Sequence, residues 1–197
     1  MSTSWNPADK GADITLSTTV FANDTATGSA ATWNSVRATT SNSSGKFYLE
    51  MKCLNAGTQS FVGMATSGFS LATFLGNAAT SVGMENTTGA GTIIGNGFTL
   101  NATVSNGYGA NDTLQIAVDF TGGNLWFGKN NTWQTGNPST GTTPTATFTP
   151  PLTLFPASSE LNTNSVMQIV PSNFKFTPPT GFQPWDSTAF FLSPIFP

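Results

Sequence analysis

The chain has 197 residues, enough for one domain with a sizeable core. Charged residues make up 8% of it and the net charge is −3, which provides no basic stripe for phosphate backbones and no polybasic segment for anionic lipid, so neither nucleic acid nor membrane insertion is expected. The 33 Thr, 20 Ser and 18 Asn exceed a third of the residues, while 16 Phe supply an interior; Thr favours strands and Asn, Ser and Gly favour tight turns, so the composition predicts an all-β fold.

In chain order, the N-terminal MSTSWNPADKG has no apolar run of the kind that starts secretion or crosses a bilayer, so synthesis in a cytosol is expected. ITLSTTVF (14–21) and SVRATT (35–40) read as the first strands. KFYLEMKCL (46–54) alternates, with Phe47, Leu49, Met51 and Cys53 inward and Tyr48, Glu50 and Lys52 on a polar face, as in a half-buried strand. SFVGMAT (60–66) and TIIGNGFTLNATV (92–104) follow as strands. TLQIAVDF (113–120) repeats the alternation with Leu114, Ile116, Val118 and Phe120 inward. The turn TGGN then returns the chain as the strand NLWFGKN, and two glycines between alternating strands signal a hairpin. GNPSTGTTPTATFTPP (136–151) looks like a linker, but a boundary there would leave about 45 residues, too few for a core, so it is read as a surface loop within one domain. PLTLFPA (151–157), VMQIV (166–170) and NFKF (173–176) complete the strands. No stretch sustains apolar residues at i, i+3, i+4 and i+7. Many short, turn-punctuated strands predict an antiparallel sandwich, with barrel closure left open.

Several segments together resemble the SPRY domain, in the compact version found in bacteriophage proteins. They are WNPADKGADITLS (5–17), SVRATTSNSSGKFYLEM (35–51), FVGMA (61–65), NDTLQIAVDFTGGNLWFGKNNTW (111–133), LTLFPA (152–157) and FKFTPPTGFQPWD (174–186), in the family's order across nearly the whole chain. The hairpin with its Leu-Trp-Phe strand is the most specific piece. The resemblance implies a bent antiparallel β-sandwich of concanavalin-like (jelly-roll) type over residues 1–186. It also implies a non-catalytic module whose rim loops bind protein or, less often, glycan. Segment 67–91 departs from the pattern, and the apolar tail 187–197 lies beyond the usual end of such a domain.

No residues suggest catalysis. Glycosidases on related sandwiches hold two carboxylates across the scissile bond, whereas the nine acids here form no E-x-D-x-x-E cluster, and Glu50 and Asp119 sit on strand polar faces. There is no histidine for a catalytic triad or a transition-metal site. The lone Cys53 lies on an inward face as a small hydrophobe. No D-x-D-x-D-G loop for calcium occurs, so neither metal nor cofactor is expected. The six Asn-X-Ser/Thr sequons, starting at Asn23, Asn42, Asn86, Asn101, Asn111 and Asn130, follow from the abundance of Asn and Thr.

Aromatic and amide side chains in predicted rim loops are the candidate ligand contacts: Phe69, Phe74, Asn130, Asn131 and Trp133. The tail crowds Phe190, Phe191, Leu192, Ile195 and Phe196 into a few residues. Such a patch either folds back on its own sandwich or docks on a neighbour. A cytosolic start combined with a hydroxyl-rich, charge-poor surface fits a phage virion protein, exposed after lysis. The leading expectation is therefore a structural or adhesion module, in a head decoration or a tail or fibre. Its expected partners are other virion proteins, a second copy of itself, or a host surface glycan or protein. A receptor-binding module for host glycan is the second reading, and a glycoside hydrolase the third.

Overall fold

The structure, a computed structural model, describes residues 2–86, 90–161 and 165–187. The first sheet is built from β1 (Trp5–Lys10), β4 (Asn34–Ala38), β6 (Gln59–Ala65), β7 (Ser81–Glu85), β8 (Gly91–Asn96), β10 (Val104–Ser105) and β15 (Phe155–Leu161), in the order β1-β4-β15-β6-β7-β8-β10. The second contains β2 (Ile14–Ser17), β3 (Thr25–Gly28), β5 (Lys46–Asn55), β9 (Thr99–Leu100), β11 (Thr113–Asp119), β12 (Asn124–Lys129), β14 (Ala146–Thr147) and β16 (Val166–Val170), in the order β2-β3-β16-β5-β11-β12-β14-β9. β13 (Thr132–Trp133) adds to β12, and β17 (Gln183–Pro184) runs parallel to β5 at Phe47 and Tyr48, along the edge that β16 leaves at Glu50. Two sheets packed face to face make a sandwich, which settles the barrel alternative.

β5, β11 and β12 form the spine of the larger sheet. Their register sets Leu49 opposite Ile116 and Ile116 opposite Phe127, so one row of alternate residues faces the other sheet. Val62, Met64, Val82 and Met84 of β6 and β7 meet that row in the main core. Each such side chain removed from water stabilises the sandwich by roughly 1.5–3 kcal/mol. The hairpin turn forms because Asp119 accepts hydrogen bonds from Thr121 N (3.0 Å) and Gly122 N (2.9 Å), and because Gly123 takes φ 66. A Cβ on Gly123 would stand 2.2 Å from the Phe148 carbonyl oxygen, so only glycine fits.

Several expectations are corrected. ITLSTTVF is a strand only over Ile14–Ser17, because Thr19 and Val20 bend around the Asp24 carboxylate and donate their N–H groups to it at 2.7 and 2.8 Å. The stretch 92–104 breaks into β8, β9 and β10, since Gly97 turns at φ 73 and Asn101 N and Ala102 N leave the ladder for the Thr145 carbonyl. The strand within PLTLFPA begins at Phe155 and continues to Leu161, and the β4 pairing of that strand starts only at Ala157, past the missing donor of Pro156. NFKF forms no strand. β1, β3, β7, β13, β14 and β17 lie outside the expected strands, and β14 joins β12 to β9 within the stretch read as a surface loop.

The outer faces are also covered, contrary to the expectation of half-buried strands. Residues 66–80 form a first strap over the seven-stranded sheet, where Phe69 and Leu75 pack on Phe61, Ala65 and Ala157. Residues 171–182 form a second strap over the larger sheet, where Phe174 and Phe182 pack on Tyr48, Ala117 and Trp126. Tyr48 and Glu50, expected to face solvent, are 0% and 1% exposed as a result.

Candidate functional site

The predicted contacts divide between the two faces. Phe69 is buried in the first strap and its carbonyl accepts from Arg37 at 2.6 Å, so its ring offers no face to a ligand. Phe74, half-buried, stacks on Phe61 at 5.2 Å and meets Trp33 at 5.0 Å. Asn130, Asn131 and Trp133 come together on the opposite face. Asn130 and Asn131 take φ 49 and 67 in the turn from β12 to β13, a conformation that asparagine tolerates. The Asn130 side chain accepts from Thr113 N (3.0 Å) and donates to Asp112 (2.6 Å), so it is spent on the start of β11, while Asn131 is anchored through its N–H to Gln115 (2.6 Å). Trp133 is half-buried, lies over Gly128 and meets Tyr48 edge-on at 6.4 Å. Phe190, Phe191, Leu192, Ile195 and Phe196 lie outside the described residues.

Beside that turn the sheet face opens into a cavity of about 340 Å³. Its floor is Glu50 and Lys52 of β5 with Thr113 of β11, and Asn111 and Val170 stand at two sides. Asn173 and Lys175 of the second strap complete its lining. Asn111 and Asn173 adopt φ 72 and 57, so two left-handed turns shape the mouth. A second hollow of about 230 Å³ adjoins it, sharing Val170 and Asn173 and reaching Val20 and Phe21.

Glu50 holds the strap in place. Its carboxylate accepts from Lys175 N and Phe176 N at 2.9 Å each and from the Tyr48 hydroxyl at 2.8 Å. Gln115 in turn donates to that hydroxyl at 3.1 Å. Burial, reinforced by the Glu50 charge, keeps the Tyr48 phenol protonated far above its ordinary range. The acids invoked for hydrolysis serve the fold: Asp119 caps the hairpin turn and pairs with Lys46 at 3.2 Å. Asp119 lies opposite Lys46, four residues along β5 from Glu50, or roughly 13 Å at 3.3 Å per residue, beyond the span of paired glycosidase carboxylates.

Two further buried acids behave oppositely. Burial disfavours the Asp24 anion, but hydrogen bonds from Thr19, Gln168 and Val20 outweigh it and hold the carboxyl at about 2. Glu160 accepts from the Ser158 and Ser165 hydroxyls, and complete burial pushes it up to about 7. Cys53, inward as expected, is pushed up to about 12 by burial and the charges of Glu160 and Asp112, so it remains a thiol.

Sequence reasoning missed the cavity because alternation assigned Lys52 to a solvated face and NFKF to a strand. No local pattern signalled it, since Lys52 has Glu50 two residues away on the same strand face and Lys175 comes from a segment far along the chain.

No family model and no curated protein matches the sequence. Among solved structures, the chain is similar to the SPRY domain of human HERC1, with a TM-score of 0.63 and 15% identity over 87% of this chain and 99% of that one. A second human SPRY domain gives a TM-score of 0.55 at 15% identity, over 80% and 94% of the two chains. The PSpry domain of TRIM65 gives 0.62 at 13%, over 86% and 92%. The chain has the fold of a SPRY domain.

Proposed function

We propose that the chain is a recognition module without bond chemistry, a SPRY-type sandwich carried on a bacteriophage particle as a head decoration or as part of the tail or fibre. Its partners are other virion proteins, held by shape and polar contact. The carrying observation is that Glu50, Asp119, Asp24 and Glu160 are each engaged by groups of their own fold, which supports a scaffold for binding over one for hydrolysis. The SPRY fold supports protein recognition by analogy. The hydroxyl-rich, charge-poor composition supports a particle surface. Mass spectrometry of purified virions tests the reading: recovery of the chain in stoichiometric amount is expected, and its absence from the particles overturns it.

The cavity at Lys52 and Lys175 favours a second reading, a receptor-binding module for host surface glycan. Saturable binding to host cells that persists without any other virion protein would favour it over the first.

A further inference from the structure

All fifteen charged side chains of the molecule fall among the described residues. Of the six cations, Arg37 is paired with Asp9 at 2.7 Å and Lys46 with Asp119 at 3.2 Å. Lys10 donates to the Ile14 carbonyl at 2.7 Å, and Lys129 to that of Asn106 at 2.9 Å. Lys52 and Lys175 remain. Among the described residues neither ammonium group has a hydrogen bond or an ion pair, although Lys175 lies 5.1 Å from the ring of its neighbour Phe176. Both line the same 340 Å³ cavity. The one acid lining it, Glu50, is turned to the strap backbone and to Tyr48 and accepts three hydrogen bonds from them.

We infer that this cavity binds an acidic sugar residue, with its carboxylate between Lys52 and Lys175 and its hydroxyls on Asn111, Thr113 and Asn173. The volume is in the range of small-ligand sites and holds one pyranose ring. Two compact, strongly hydrated ammonium groups suit a carboxylate on a hydrated sugar, and amides and a hydroxyl suit its ring substituents. Val170 and the lysine stems supply apolar wall. Lysine binds phosphate as well, as a point charge, but a phosphate site commonly adds Arg forks or converging backbone N–H groups, and here the N–H groups of residues 175 and 176 are consumed by Glu50. An acidic peptide adding as a strand needs a free sheet edge, whereas β5 is paired on both sides here, with β11 and β16. The inference concerns ligand chemistry and does not depend on what carries the chain.

The test is NMR titration of the full chain with glucuronate and N-acetylneuraminate, with glucose, inorganic phosphate and a Glu-rich peptide as alternatives. Shifts confined to residues around the cavity are expected for one of the acidic sugars, with a Kd on the order of 1 mM, the range for a ligand of this size. Glucose should bind at least about tenfold more weakly, since it leaves both cations unpaired. K52Q and K175Q should each weaken the acidic sugar by about tenfold with the melting temperature unchanged, because Glu50 tethers the strap through the backbone of residue 175 and not through its side chain. Equal binding of glucose, preferential binding of phosphate or peptide, or no cavity shifts with either acidic sugar would each overturn the inference.

Discussion

The two straps solve one problem with opposite charges. Each lies on a sheet face as irregular chain, so its backbone groups have no ladder to join and need partners. The first is caught by a cation: Arg37 donates to the carbonyls of Thr66 (3.2 Å) and Phe69 (2.6 Å) while held by Asp9. The second is caught by an anion, Glu50, which accepts the N–H groups of residues 175 and 176. The first has further ties, since Ser35 N donates to the Leu71 carbonyl (2.8 Å) and Leu75 N donates to the Ser159 hydroxyl (3.0 Å). The second is hydrogen-bonded near its middle to Glu50 and toward its end by Thr180 N to the Ser139 hydroxyl (3.0 Å), and the cavity opens at its middle. A loop tied at many points becomes part of the core, whereas one tied at a few leaves usable space beneath it.

The largest effect expected from breaking this pattern is at Arg37. R37A leaves Asp9 and two strap carbonyls without their donor, which should cost about 3–4 kcal/mol in urea unfolding. Hydrogen exchange should speed selectively at residues 69–77, with 175 and 176 unchanged; uniform acceleration would deny the first strap its own anchor.

Glu160 sharpens the contrast between carboxylates served by backbone N–H groups and those served by hydroxyls alone. Its folded carboxyl titrates at about 7 against an ordinary 4.5, so the folded state prefers the proton. Its cost is therefore absent below pH 4.5, grows as pH rises through 7, and reaches about 3 kcal/mol above that. E160Q should leave the melting temperature at pH 4.5 unchanged and raise it at pH 8.5. Asp24, held at about 2 by donors from Thr19, Gln168 and Val20, works the other way: its stabilisation is complete above pH 4 and is lost as pH falls through 2.

E50Q presents an amide N–H₂ to donors that need an acceptor, and should cost about 2 kcal/mol. Exchange should accelerate at residues 175 and 176, while amides of the first strap keep their protection. The smallest effect is expected for G83A. Its Cβ would stand 2.7 Å from that of Leu75, so the first strap must shift, at about 1–2 kcal/mol by thermal melting. An unchanged melting temperature would mean that the first strap yields freely, contrary to its multiple anchors.

The interior was legible from sequence and the exterior was not, for a physical reason. The period-two rows of β5, β11 and β12 show which residues face the opposite sheet, and Leu49, Ile116 and Phe127 lie there. Alternation assumes that the other row meets water. Tyr48 and Glu50 break that assumption because their cover comes from residues 174–182, more than 120 positions away. At the aromatic hairpin both faces are packed: Trp126, with its indole N–H on the Thr142 carbonyl at 3.1 Å, is buried under Phe182. The cavity was illegible because it lies between a strand and a strap whose pairing no local pattern encodes.

Asp186 gives the fold a mechanical property. Its carboxylate accepts from Thr3 N at 2.9 Å and from the Ser2 hydroxyl at 3.0 Å, so positions 3 and 186 are pinned together. A pull applied through chain on both sides enters and leaves at one point and does not stretch the sandwich between its ends. The load falls first on this small polar clasp, ahead of either sheet. While the clasp holds, such a load bypasses β1 and the sheets behind it.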